Sequence, residues 1–316
     1  MRKILIVKTS SLGDIVHNFP AISDIRRNLP NASIDWVVEE AYESLAKLHP
    51  AIRRAIPVAV RRWRGRPLKR ETWAEVGVLH RLFKSEQYDE IIDTQGLVKS
   101  AVLASVARGR RHGFDATSAR ERIAARFYDV RHHVARAQHA VQRNRDLVAH
   151  ALGYRIEGLV DYGLNARVDD AKADPYIVFL HSTSRADKQW NESNWIQLGG
   201  MIEAAGRRVV LPWGNDSERQ RSERIASALH MAIVPDAMSV EAAATMLANS
   251  SGIAGLDTGL THLAAALNKP VAAIYCATDP RLTGVFGASR ARNLGGVNQV
   301  PKPAEVFDAL REHGAL

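Results

Sequence analysis

The segment KTSSLGDIVH, residues 8 to 17, follows the short apolar run KILIV and places Ser10, Ser11, Gly13 and a lone carboxylate, Asp14, within five positions. A glycine-bearing turn after a first strand often cradles a phosphate. Here a negative charge occupies that place, and neither the G-x-G-x-x-G nor the P-loop spacing is present. Two readings of these residues stand side by side. Serine and aspartate are preferred at helix N-termini, where a carboxylate meets the positive end of the dipole, and Pro20 suits a first helical turn. A carboxylate at the end of a first strand can also serve as a general base.

Three segments of the second half suit an anion of the diphosphate kind. HSTSRADKQW, residues 181 to 190, offers the hydroxyls of Thr183 and Ser184, turn N–H groups and the ammonium of Lys188. GLDTGLTHLAAAL, residues 255 to 267, turns a buried-looking strand into a helix at Asp257, Thr258 and Gly259, with His262 in its first turn. Unpaired N–H groups at such a helix start attract an anion, and Gly259 permits close approach of a ligand. LPWGNDSERQR, residues 211 to 221, puts Glu218 at the start of a helix, where it can accept from ribose hydroxyls. Each has a plainer alternative: a solvated loop, an N-cap, a glutamate favoured by the helix dipole.

Two arginine-rich tracts complete the inventory. Residues 53 to 70 carry Arg53, Arg54, Arg61, Arg62, Arg64, Arg66, Lys69 and Arg70 around Trp63, and a second tract includes Arg108, Arg110, Arg111, Arg120, Arg122, Arg126 and Arg131. Arginine in excess over lysine favours forked recognition of phosphate or carboxylate. No helix-turn-helix, zinc-finger or aromatic RNA-binding pattern accompanies them, so nucleic acid is not the expected partner. There is no H-E-x-x-H or D-x-D pattern, and His132 and His133 lack a spaced third ligand, so no metal is expected and both histidines read as part of the cationic face.

The elements that must position these groups follow from composition and periodicity. A chain of 316 residues, 46% hydrophobic and 24% charged, is long enough for two domains. No apolar run is long enough to cross a membrane as a helix. Cys276 is the only cysteine, and the N-terminus shows no signal-peptide pattern, so a reducing cytoplasm is expected. Net charge is +9, but residues 1 to 168 hold 29 Lys and Arg against 18 Asp and Glu while the remainder is nearly neutral. The first half therefore attracts something anionic. Strands are expected at Lys3–Val7, Ile34–Val38 and Glu90–Asp93, then at Tyr176–His181, Arg208–Leu211, Ala232–Pro235, Gly252–Leu256 and Val271–Tyr275, with helical stretches between them. That alternation predicts an α/β protein with parallel sheets covered on both faces, divided at the polar linker 165 to 175. Two doubly wound domains would face one interdomain cleft.

Taken together, KTSSLGDIVH, VVEEAY, IPVAVRRWR, IDTQGLVKSA, HSTSRADKQW, LPWGN and GLDTGLTHLAAAL resemble, in order and from Lys3 to about Pro280, the ADP-heptose:lipopolysaccharide heptosyltransferases. These are inverting glycosyltransferases with the GT-B fold of two Rossmann-like domains, and the likeness is to the group that adds the first heptose. The resemblance implies an acceptor-binding domain at 1–168 and a donor-binding domain at 169–316, whose last helix, Ala304–Glu312, is a candidate to pack back on the first domain. It implies that Asp14 is the catalytic base and that Ser10, Ser11 and Gly13 lie at the acceptor. Thr183, Ser184, Lys188, Thr258, Gly259 and His262 would hold the diphosphate of ADP-L-glycero-β-D-manno-heptose, Glu218 the ribose, Met238 the adenine and Asp257 the heptose. Arg61, Arg62, Arg64 and Arg120 would engage the anionic acceptor, the Kdo (3-deoxy-D-manno-octulosonic acid) residue of Kdo2-lipid A. No cofactor or metal is implied. Where the family pattern has two threonines in the donor loop, this chain has Thr183 and Ser184. A peripheral position on the cytoplasmic face of the inner membrane would follow, and the sequence gives no oligomeric state. The alternatives are an enzyme of the same family that adds a later heptose, and a non-catalytic binder of anionic lipid or nucleic acid on the same scaffold.

Overall fold

The run KILIV forms β1 (Lys3–Val7), whose residues Ile4 to Val7 are fully buried, as expected of a parallel strand covered on both faces. In the computed structural model, which describes residues 1–164, 174–183 and 185–316, β1 sits at the centre of a six-stranded sheet. Its partners are β2 (Ser33–Glu39), β3 (Ile52–Val58), β4 (Gln87–Asp93), β5 (Arg108–Phe114) and β6 (Val130–His132). All pair in parallel, in the order β3-β2-β1-β4-β5-β6. This sheet belongs to the unit Met1–Gly163. The unit Leu164–Leu316 holds β7 (Tyr176–Leu180), β8 (Arg208–Val210), β9 (Ala232–Ile233), β10 (Gly252–Leu256), β11 (Val271–Tyr275) and β12 (Ala291–Gly295), in the order β12-β11-β10-β7-β8-β9, again all parallel. Residues 165 to 173 of the expected linker lie outside the described residues, as does Ser184.

Each sheet is wound outward from its centre in both directions. β1 leads through β2 to β3, and β4 leads through β5 to β6; β7 and β10 begin the two runs of the second sheet. The loops leaving β1 and β4, or β7 and β10, therefore diverge and leave a crevice at the carboxyl ends of the strands. The second core is anchored by aromatic packing. Trp190 and Trp195 meet edge-on at 5.0 Å and Phe179 lies 4.9 Å from Trp195, while the Trp190 indole N–H donates to the Pro301 carbonyl at 3.0 Å.

Four strands, β3, β5, β6 and β12, are not among those expected from the sequence, because each carries arginine that interrupts its apolar run. In β5, RGRRHGF, two of the polar side chains are held in pairs. Arg111 forks onto Asp129, and His112 lies between the Glu90 carboxylate at 2.6 Å and the His132 ring nitrogen at 3.0 Å. The His112 and His132 rings stack at 5.3 Å. Burial pulls His132 down to about 4, so it is neutral at neutral pH and is not part of a cationic face; His133 is exposed beside Asp115. In β3, Arg53 and Arg54 both donate to the buried Asp35. The last helix is Pro303–Glu312. Its apolar stripe, Val306, Ala309 and Leu310, is spent on the second unit's own core, against helix Glu192–Ala204 and β10 to β12.

Two buried histidines make stability pH-dependent. Burial lowers His49 and His181 to about 4 in the folded chain, against about 6.5 when unfolded. Between those values the unfolded chain binds more protons, so their contribution is complete above about pH 6.5 and is lost as pH falls toward 4. The melting temperature is expected to drop steadily over that window, and His49→Gln should flatten part of the slope; a melting temperature unchanged between pH 7 and pH 5 would contradict this.

Candidate active site

The first crevice is built around Asp93, at the end of β4. This fully buried carboxylate accepts from the N–H groups of Gln95 and Gly96, the Ser100 hydroxyl and the Tyr128 phenol, all at 2.7–3.2 Å. Burial pushes its pKa up against those bonds. The turn it fixes requires Gly96 at φ +68, and a Cβ there would press on Phe114. Gln95 then accepts from both the N–H and the hydroxyl of Thr9 at 2.8 Å, which locks the exit of β1. From that anchored point Ser11 caps the short helix Leu12–Val16 and Asp14 enters its first turn.

Asp14 is held from two sides. Its Oδ2 accepts from the Ser11 N–H at 3.0 Å and from Arg120 at 3.2 Å, and its Oδ1 takes the second Arg120 nitrogen at 2.5 Å. Burial favours the protonated form, but the charges of Lys8 and Arg120 and the Arg120 and Ser11 hydrogen bonds outweigh it, so the carboxyl sits well below its usual range. Lys8 is 3% exposed, and its ammonium donates to the Thr94 carbonyl at 2.9 Å; burial pulls it down to about 8 although Asp14 opposes that. Lys99 donates to the Ser10 hydroxyl at 3.1 Å. Helix capping and a catalytic role are therefore not exclusive, because the same carboxylate can do both.

The arginines of the first tract separate into two kinds. Arg62, on helix Val60–Gly65, forks onto Glu40 and onto Glu75 at 2.9–3.1 Å, and Trp63 donates to the same Glu75. Its charge is spent within the fold. Among the described residues the side chains of Arg64, Arg66, Lys69 and Arg70 make no ion pair, and Arg61 only overlies the Tyr42 ring at 6.0 Å.

The second crevice centres on Asp257, at the end of β10. Its Oδ2 accepts from the Lys188 ammonium at 2.6 Å and from the Thr278 hydroxyl at 2.8 Å, and its Oδ1 lies 3.5 Å from the His262 ring. Burial raises the Asp257 carboxyl, but hydrogen bonds from His262, Lys188 and Thr278 overcome it and keep the group ionised. Thr258 is the N-cap of helix Gly259–Ala266, whose Thr261 N–H donates to the Thr258 carbonyl at 3.1 Å. Thr183 is half-buried beyond β7, Met238 half-buried beyond β9, and Glu218 accepts from the Gly214 N–H at 2.8 Å beyond β8. Thr278, beyond β11, was not singled out from the sequence, since CATDP carries no pattern of its own. Lys8 and Lys99 escaped in the same way, although both lie inside segments that were read.

Two doubly wound parallel sheets, each with charged groups gathered at its central carboxyl ends, are the elements of a GT-B-like fold. The sequence pattern of glycosyltransferase family 9 (heptosyltransferase) matches residues 76–306. Lipopolysaccharide heptosyltransferase 1 of Salmonella typhimurium is 43% identical over 293 residues, 91% of this chain and 92% of that protein. The structure of the E. coli heptosyltransferase WaaC with ADP superposes with a TM-score of 0.90 at 39% identity, covering 98% of this chain and 99% of that one. The complex of the E. coli protein with ADP-2-deoxy-2-fluoro heptose gives 0.87 at 38% identity, with the same coverage. The chain belongs to glycosyltransferase family 9, the heptosyltransferases, and is a glycosyltransferase.

The Asp257 cluster depends on its cation. Lys188→Met removes a charge-assisted bond from a carboxylate whose side chain is 8% exposed, and is expected to cost about 1–3 kcal/mol of stability. Urea titration measures this; a loss under about 0.5 kcal/mol would mean that Thr278 and His262 hold Asp257 unaided.

Proposed function

We propose that this enzyme transfers heptose from ADP-L-glycero-β-D-manno-heptose to the Kdo residue of Kdo2-lipid A, with inversion at the anomeric carbon, without a metal, and with Asp14 as base. One observation carries the donor assignment. Thr278, Asp257, Lys188, Glu218 and Met238 follow β11, β10, β7, β8 and β9, which are consecutive neighbours in the sheet. Strands about 4.8 Å apart spread the last four over about 14 Å, the scale of a nucleotide sugar laid along the edge. Sugar, diphosphate, ribose and adenine would then meet Asp257, Lys188, Glu218 and Met238 in that order.

The chemistry is a single displacement. The acceptor hydroxyl attacks the anomeric carbon, Asp14 takes its proton, and the bond to the β-phosphate oxygen breaks with its electron pair leaving on ADP. Asp14 is a weak base, so proton transfer runs late. Charge growing on the leaving diphosphate is met by Lys188, which has three donors and spends one on Asp257, together with the first N–H groups of helix Gly259–Ala266 and His262. Among the described residues no cluster of His, Cys, Asp or Glu is arranged to hold a metal. ADP release with a delipidated Kdo acceptor in EDTA is expected for the native chain and to fall at least about a hundredfold in Asp14→Asn. Equal rates in both would leave Asp14 as a helix cap only.

The same reading places the enzyme peripherally on the anionic cytoplasmic face of the inner membrane. No helix among the described residues is long and apolar enough to cross a membrane. What supports surface attachment is the set of unpaired cations Arg61, Arg64, Arg66, Lys69 and Arg70 beside the exposed Leu68 and Trp73. Each cation contributes on the order of 1 kcal/mol near such a surface. The triple variant Arg64→Ala, Arg66→Ala, Arg70→Ala should lose flotation with phosphatidylglycerol vesicles, whereas Arg62→Ala should keep it. Undiminished flotation of the triple variant would remove the idea.

A further inference from the structure

The candidate base is bound where it should be free. A carboxylate that must accept a proton is instead engaged on both oxygens by the Arg120 fork, at 2.5 and 3.2 Å. While that contact lasts, its lone pairs face a guanidinium and its affinity for a proton is suppressed.

We infer that Arg120 is a latch on Asp14, and that a carboxylate of the bound acceptor takes over its guanidinium and so releases Asp14 to act as base. The inference rests on the transfer reading above. Four features favour the exchange. The Arg120 side chain is 44% exposed, whereas that of Asp14 is 16% exposed, so the arginine has room to turn outward. Its backbone is fixed independently of its side chain. Arg136 donates to the Ala119 and Arg120 carbonyls, and Glu121 N–H donates to Gly96. The swing therefore disturbs no element.

The surroundings also want a second anion. Arg143, lying over the Phe114 ring at 4.9 Å and donating to the Ser118 carbonyl, has its pKa lowered by burial and then by the charges of Arg120 and Arg136. Arg120, Arg136 and Arg143 thus crowd one another, and among the described residues Arg120 alone of the three is paired with a carboxylate. Finally, the exchange conserves the forked ion pair, trading one carboxylate for another in the same geometry. Asp14 is not stranded afterwards. Buried Lys8, at the end of β1, still opposes its charge, and the Ser11 N–H still holds one oxygen. The charged groups around this pair are Lys8 beyond β1, itself acted on by Asp93 at the end of β4, then Arg143 from helix Ala140–Leu152, and Arg136, which donates to the Arg120 carbonyl.

Because acceptor binding would raise the proton affinity of Asp14, protonating Asp14 must in turn tighten acceptor binding. On the acid side, toward the ordinary range of an aspartate at about pH 4, the native enzyme should therefore lose kcat and KM for the acceptor together, leaving kcat/KM flat. In Arg120→Met the latch is absent. The KM is expected to rise at least about tenfold and to become pH-independent, kcat at neutral pH to stay within about fivefold, and the acid limb to move into kcat/KM. Arg120→Lys should recover part of the KM and serves if the methionine variant does not fold. Acceptor kinetics from about pH 4 to 8 with saturating ADP-heptose test this on the full chain. A larger loss of kcat at neutral pH, an unchanged KM, or a kcat/KM profile of native shape in Arg120→Met overturns it. Failure of the native enzyme to turn over, or full activity of Asp14→Asn, would instead overturn the transfer reading itself.

Discussion

All twelve strands run parallel to their neighbours within their sheets, and this constraint governs where chemistry can occur. A parallel sheet sends every loop that follows a strand to one edge. Winding outward from the centre leaves a gap between the loops of two adjacent strands there. Both units use the same order, so both gaps arise in the same way, between β1 and β4 and between β7 and β10. Asp14 and the Asp93 turn flank the first; the 181–188 segment and Asp257 flank the second. The side chains that matter come from loops, but their precision comes from strand ends locked by Gln95 and by Asp257 itself.

The two crevices differ in electrostatic character. In the first, Asp14 pairs with Arg120 and is acted on by the buried Lys8, while Lys99 donates to Ser10 and Arg143 to the Ser118 carbonyl, a local surplus of positive charge. In the second, Lys188 and Asp257 form one partly buried pair, steadied by Thr278 and His262. Breaking such a pair from one side leaves an uncompensated charge, whereas a diphosphate entering beside it adds partners without removing any. The second crevice is thus nearly organised by its own side chains, whereas the first is organised around the contact of one half-exposed arginine.

Legibility from the sequence followed burial. Strands such as KILIV, YIVFL and VAAIY are covered on both faces and announce themselves as apolar runs. Helix starts at Asp14 and Gly259 were visible because their turn residues are chemically distinctive. The four hidden strands carry charges whose partners lie far along the chain: Arg53 and Arg54 meet Asp35, and Arg111 meets Asp129. A linear reading sees only a surplus of arginine and cannot tell a neutralised Arg62 from an unpaired Arg64. His132 was misread for the same reason, since only the stacked ring of His112 and its burial show it to be neutral. Thr278 matters by position alone, being one strand along from Asp257.

A base held by an arginine also bears on a problem common to every nucleotide-sugar transferase, which is that water can replace the acceptor. Water is small, abundant and able to reach an open crevice, and a free carboxylate beside the anomeric carbon would help it attack. On the proposed reading, Arg120 over both oxygens of Asp14 withholds that help, because a carboxylate well below its usual pKa range draws protons poorly. Water is neutral and offers no anion to exchange for the guanidinium. An acidic acceptor does. If the latch works as inferred, choosing an anionic acceptor and suppressing wasteful hydrolysis are one interaction, and the positive surplus of the first unit tunes the chemistry as well as attracting the substrate.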